Sequence, residues 1–130
     1  MQHPTLDDYY EILAAPESRR IWCSALSDYV IFNRAGFRHL VRKRGRPRSD
    51  KERARRFGLL SRVKEVIVNS STLFAEGRRE EIFRPARQRK HRIRAKAPAR
   101  FWSGKESGNG GITVIIRQIG NGGKHFFSVF

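Results

Sequence analysis

Residues 112–130 read ITVIIRQI, GNGG, KHFFSVF. Two runs rich in β-branched and aromatic residues flank Gly120, Asn121, Gly122 and Gly123, which is a hairpin signature: the side chains favour extended backbone and the glycines supply a tight turn. A four-residue turn sets Ile119 opposite Lys124, Gln118 opposite His125, Arg117 opposite Phe126 and Ile115 opposite Ser128. Because side chains alternate along a strand, Val114, Ile116, Phe127 and Val129 are expected on one face, with Gln118 and His125 at its turn end. Thr113, Ile115, Arg117, Lys124, Phe126 and Ser128 are expected on the other. One face reads as core, and the other carries polar groups among apolar ones.

Working back from the hairpin, periodicity changes from two to about 3.6. Leu59, Leu60, Val63, Val66 and Ile67 form a helical stripe, preceded by a charged helix over residues 50–57 that Ser49 and Glu52 start as a capping box. Asn33 caps a further helix over residues 34–43, with Phe37, Leu40 and Val41 inward and His39 beside them, and Gly45 and Pro47 ending it. Near the start, Leu6, Tyr9, Tyr10 and Leu13 predict a short helix over residues 6–14, capped by Thr5 and closed by Pro16. Residues 20–25 and 29–32 read as short strands around a Ser27, Asp28 turn. Residues 72–75, 93–96 and 99–104 are further strand candidates, with part of the aperiodic basic run 78–100 as loop. The expected fold is α+β, with N-terminal helices packed on a C-terminal antiparallel sheet that ends in the 112–130 hairpin.

A chain of 130 residues is one domain's worth, with residues 1–28 a more acidic helix and lead-in and residues 29–130 a basic core. Lys and Arg number 28 against 12 Asp and Glu, a formal net charge of +16. A surplus of that size predicts a polyanionic partner, because a phosphate backbone that sheds its condensed counterions gives affinity regardless of base sequence. Arg outnumbers Lys, and its planar fork suits bidentate phosphate contacts. Two stretches concentrate the charge, residues 38–56 and 84–100. Arg42, Lys43, Arg44, Arg46 and Arg48 from the first, Arg89, Lys90, Arg92 and Arg94 from the second, Lys105 before the hairpin and Lys124 within it are the candidate nucleic-acid contacts. Cys23 is the single cysteine, so no disulfide forms within the chain, and an inert buried thiol in a reducing compartment is expected. The sequence holds no membrane-length apolar run and no signal-peptide plan at its start, so a cytoplasmic location away from membranes is expected.

The segment Lys43-Arg44-Gly45-Arg46-Pro47-Arg48 resembles the AT-hook, in which an extended Arg-Gly-Arg-Pro core lies in the narrow minor groove of AT-rich DNA. It supports an alternative in which the chain is a non-catalytic DNA-binding module. A third class, a basic ribosome-associated protein, binds RNA without cutting it.

The sequence has no HExxH, serine elbow, Walker loop or carboxylate cluster, so no cofactor or metal is expected and a nuclease of this composition is expected to work without one. Metal-free cleavage suits RNA, whose 2′-hydroxyl is an internal nucleophile that needs only a base, an acid and cations around the phosphorane. Among the four histidines, His3 and His91 sit in a terminus and a basic run, while His39 and His125 are better placed. His39, Arg117, His125 and Ser128 are the candidate catalytic residues, with one of the two histidines as proton donor to the leaving group.

The helix containing Phe37-Arg38-His39-Leu40 and the hairpin Val114-Ile115-Ile116-Arg117-Gln118-Ile119, Lys124-His125-Phe126-Phe127-Ser128-Val129 resemble the phage-associated nucleases of the barnase, EndoU, colicin and RelE-like fold. The resemblance covers about residues 29–130. It implies a small phage-borne or toxin-type endoribonuclease, with the helix histidine at His39, the strand arginine at Arg117 and the last-strand hydroxyl at Ser128. It also implies RNA as substrate and a cognate immunity or antitoxin protein as a second partner. The chain departs from the barnase arrangement in having no strand glutamate as base, which leaves that role to His39 or His125.

Overall fold

The computed structural model describes residues 5–13, 19–83, 95–106 and 111–130. The chain runs α1 (Leu6–Leu13), β1 (Arg20–Cys23), β2 (Asp28–Ile31), α2 (Arg34–Val41), β3 (Arg42–Lys43), β4 (Arg46–Pro47), α3 (Asp50–Gly58), α4 (Leu60–Val68), β5 (Phe74–Phe83), β6 (Ala95–Lys105), β7 (Thr113–Ile119) and β8 (His125–Val129). Six strands form one curled sheet in the order β1-β2-β8-β7-β6-β5, and β3 and β4 make a separate small ribbon. The class is α+β, but the helices are interleaved with the strands rather than gathered before them. The sheet is mixed, because β2 joins β8 in parallel at Ile31 and His125. That pairing brings the early β1-β2 hairpin alongside the last strand.

Local chemistry fixes the helix starts. Thr5 Oγ1 accepts from the Asp8 amide at 3.2 Å while Asp8 Oδ2 accepts from the Thr5 amide at 2.9 Å, a reciprocal capping box. Asn33 accepts from the Ala35 amide and Ser49 from the Glu52 amide, each satisfying a donor that the helix cannot. The helix expected over residues 34–43 stops at Val41. Arg44 and Gly45 have φ of 52° and 77°, the left-handed pair a two-residue hairpin turn requires, so residues 42–47 fold back as β3 and β4.

The strand expected at residue 72 starts at Phe74, since Thr72 Oγ1 instead donates to the Val66 carbonyl and closes the end of α4. Residues 78–83, expected to be partly loop, belong to β5, whose ten residues pair continuously with β6. Pairing partners rather than intrinsic propensity hold that charged segment extended.

One face of the sheet is the core. Cys23, Val30, Trp102, Val114, Ile116, Phe126 and Val129 meet Leu40 of α2, Phe57 of α3, and Leu60, Val63 and Ile67 of α4. Each such side chain taken out of water contributes about 1.5–3 kcal/mol before entropy is set against it. Cys23 is buried as expected, and burial pushes its thiol pKa up.

Helix α2 lies along β8, where Gly36 lets the two approach. A Cβ there would stand 2.6 Å from Phe126 Cδ2 and 2.7 Å from the Tyr9 hydroxyl. Among the described residues no helix is long and apolar enough to cross a membrane.

Candidate functional site

The β7-β8 hairpin departs from the expected register in a way that rearranges the site. Ile115 pairs with Ser128, as expected, but Ile116 pairs with Phe126 and Arg117 with His125, so Phe127 is an extra residue in a β-bulge. Residues on the turn side of the bulge therefore exchange faces. Phe126, expected beside Arg117, is core, while Phe127 turns to the other face and packs beneath the Arg117 guanidinium, 4.2 Å from ring centre to Cζ. His125 faces Arg117 rather than Gln118. Lys124, expected beside Arg117, points to the core side, where its Nζ donates to Asp28 Oδ2 at 2.6 Å and lies over the Trp102 ring.

His39 reaches the same face from α2. Its ring centre is 4.2 Å from that of Phe127, and its Nδ1 is 3.2 Å from Ser128 Oγ. Arg48 Nε donates to the His39 carbonyl at 3.1 Å, tying the last turn of α2 to the chain after the small ribbon. Arg56, which the sequence reading passed over, donates from Nη1 to Ser128 Oγ at 3.4 Å and to the Val129 carbonyl at 3.0 Å. Its Nε binds Glu52 one helical turn back. The only sequence trace of that role is the Glu52, Arg56 spacing, which in most helices marks a solvated surface pair. The paired guanidinium holds the Glu52 carboxyl below the usual carboxylate range.

Arg117 and His125 form a second unit. Arg117 Nε donates to His125 Nε2 at 3.0 Å. Burial, together with the neighbouring Arg117 charge, lowers the His125 pKa to about 4. His125 is thus neutral near pH 7, with Nε2 accepting from Arg117.

Between α2, the small ribbon and β7 lies an open cleft of about 270 Å³. Arg38, His39, Arg42, Arg44, Arg117 and Phe127 line it, so four guanidiniums surround an imidazole and an aromatic floor. Arg42 donates to the Gly45 carbonyl, which braces the ribbon at the cleft rim. The segment expected to extend as an AT-hook is therefore a closed hairpin at the mouth of the cleft.

Other predicted contacts fall elsewhere. Lys43 and Arg46 pair with each other across the small ribbon and are exposed. Lys105 sits opposite Thr113, four residues along β7 from Arg117 and about 13 Å away at strand rise. Arg89, Lys90, Arg92 and Arg94, with His3 and His91, lie outside the described residues. Among the described residues no group of three or more His, Cys, Asp or Glu stands together to hold a metal. Comparison with family models, curated proteins and solved structures finds no match for this chain.

Proposed function

We propose that the chain is a metal-independent endoribonuclease of phage-borne or toxin type whose active site is the His39 cleft. The observation that carries this reading is the juxtaposition of His39 with Arg38, Arg42, Arg44 and Arg117 around one open cleft. An imidazole supplies proton transfer near neutral pH, and clustered guanidiniums supply the charge that a pentavalent phosphorane develops.

In the tautomer with Nδ1 protonated, Nδ1 donates to Ser128 Oγ and Nε2 is the basic nitrogen. Nε2 removes the 2′-hydroxyl proton, the 2′-oxygen bonds to phosphorus, and the bond from phosphorus to the 5′-oxygen breaks. The 5′-oxygen takes a proton from water, leaving a 2′,3′-cyclic phosphate and a 5′-hydroxyl end. Arg117, held through Nε on His125 and laid over Phe127, stabilises the non-bridging oxygens. His125 acts as a positioning residue, because its Nε2 is committed to the Arg117 guanidinium and its ring is buried.

Single-stranded RNA incubated with the protein in EDTA tests the reading. Cleavage to 2′,3′-cyclic phosphate ends that is lost in His39→Ala supports it. Intact RNA, with salt-sensitive binding to AT-rich duplex, supports the DNA-binding alternative instead. The closed β3-β4 hairpin favours the nuclease over that alternative, since a minor-groove hook needs the segment extended.

A further inference from the structure

The cleft occupies only part of its face of the sheet. Along β1 and β2 the same face carries Arg20, Trp22, Tyr29 and Ile31, and among the large apolar side chains Trp22 is 47% and Tyr29 42% exposed. Trp22 and Tyr29 are cross-strand partners whose rings meet edge to face at 5.1 Å, and the Arg20 guanidinium lies 4.3 Å over Tyr29. Ile31 pairs with His125 in parallel register, which puts their side chains on one face, and Ile31 lies against Gly123, where a Cβ would be 2.8 Å away. Arg117, His125, Ile31, Tyr29 and Trp22 therefore share one face of the sheet, with His125 buried between the cleft and the exposed Ile31, Tyr29 and Trp22. At ordinary strand spacing and rise, Tyr29 and Trp22 are about 12–16 Å from Arg117 along the backbone.

From this placement we infer that Trp22, braced by Tyr29 and with Arg20 beside it, is a base-stacking platform for an unpaired RNA strand running from the His39 cleft across β8 and β2. A large aromatic half in water, braced by a second ring and a guanidinium, has no role in the core. Base stacking on such a ring is sequence-tolerant, because every base presents a π face. The net charge of +16 and the arginines at both ends of the path match a polyanion rather than an apolar protein surface. A duplex hides its base faces in its own stack, so the platform selects single strands. The inference deepens the nuclease reading and rests on it for the placement of the cleaved phosphate.

The probe is a short 2′-O-methyl uridine oligomer, which cannot be cleaved because its nucleophile is blocked, compared with the same oligomer annealed to its complement. Trp102 is 4% exposed, so tryptophan emission that responds to ligand reports Trp22. The single strand is expected to quench that emission and the duplex to leave it unchanged. Trp22→Ala should weaken single-strand binding by roughly 5- to 100-fold, and Trp22→Phe, which keeps a ring, should retain most of the affinity. Unchanged affinity in Trp22→Ala, or equal binding of duplex without quenching, overturns the platform. Cleavage of ordinary RNA by the same preparations separates the two readings. Cleavage whose KM is indifferent to Trp22→Ala sinks the platform and leaves the nuclease standing. Trp22-dependent binding without any cleavage leaves the platform standing and sinks the nuclease.

Discussion

Arg117 donates its Nε hydrogen to Nε2 of His125, so a buried histidine serves as the acceptor that aims a guanidinium. The arrangement works only while His125 is neutral. Burial and the adjacent positive charge both oppose protonation and lower its pKa from 6.5 to about 4.

That shift makes stability depend on pH with a definite sign. In the unfolded chain His125 takes up a proton below about 6.5, whereas in the folded chain it does so only near 4. Between those values the unfolded state binds more protons, so stability rises with pH across the window and is lost as pH falls through it, by up to about 3 kcal/mol. Chemical denaturation at pH 7 and pH 4.5 measures the difference. His125→Asn should flatten it, because the substituted side chain does not titrate.

Ser128 joins two helices that both lie far from it in sequence, accepting from Arg56 of α3 and meeting His39 Nδ1 of α2. Ser128→Ala is expected to lower the cleavage rate by about 10- to 100-fold, since the imidazole loses the partner that sets its orientation and tautomer. The stability cost should be only about 1 kcal/mol. Nitrogen NMR of the His39 ring checks the cause: the substitution should change its tautomer balance, which a purely structural role of Ser128 would leave alone.

Two glycines give opposite expectations. Gly36 sits where α2 touches β8, and an added Cβ meets Phe126 and Tyr9 at under 3 Å. Gly36→Ala should destabilise by about 1–3 kcal/mol despite the better helix propensity of alanine, and should move His39 away from Ser128. Gly58, at the end of α3, has nothing within 4 Å of such an atom. Gly58→Ala should stabilise by about 0.5–1 kcal/mol. Thermal unfolding of both variants measures the contrast.

Side-chain alternation and capping chemistry made most of the helices, the final hairpin and the pairing of Ile115 with Ser128 legible. Alternation also put Arg117 and Ser128 on one face of that hairpin. What could not be read was anything fixed by a partner distant in sequence. The bulge at Phe127 arises because Phe126 and Val129 both have core places to fill, so the chain between them must carry one residue more than strict alternation allows. That single insertion put Phe127, not Phe126, beneath Arg117, and turned Lys124 to Asp28. The parallel join of β2 to β8 is likewise a tertiary event with no local signal. Arg56 is concealed for the same reason, since its contact with Ser128 spans 72 residues.

The arginines around the cleft and the lysine turned away from it offer the last test. Arg42 and Arg44 line the cleft, whereas Lys124 is engaged with Asp28 on the core side of the sheet. Replacing both Arg42 and Arg44 by Ala should weaken RNA binding at every sequence alike and reduce the slope of log affinity against log salt by roughly one unit per arginine. Lys124→Ala should leave that slope unchanged, although it removes an equal charge, because its ammonium has no path to a phosphate in the cleft. It should act on stability instead. Lys124 holds the Asp28 carboxyl below the usual carboxylate range, and without it that carboxyl titrates nearer its ordinary pH. Salt titrations of affinity for an uncleavable RNA, run on both variants, separate the two. An equal loss of slope in Lys124→Ala would mean that net charge alone governs binding and that the cleft has no privileged role.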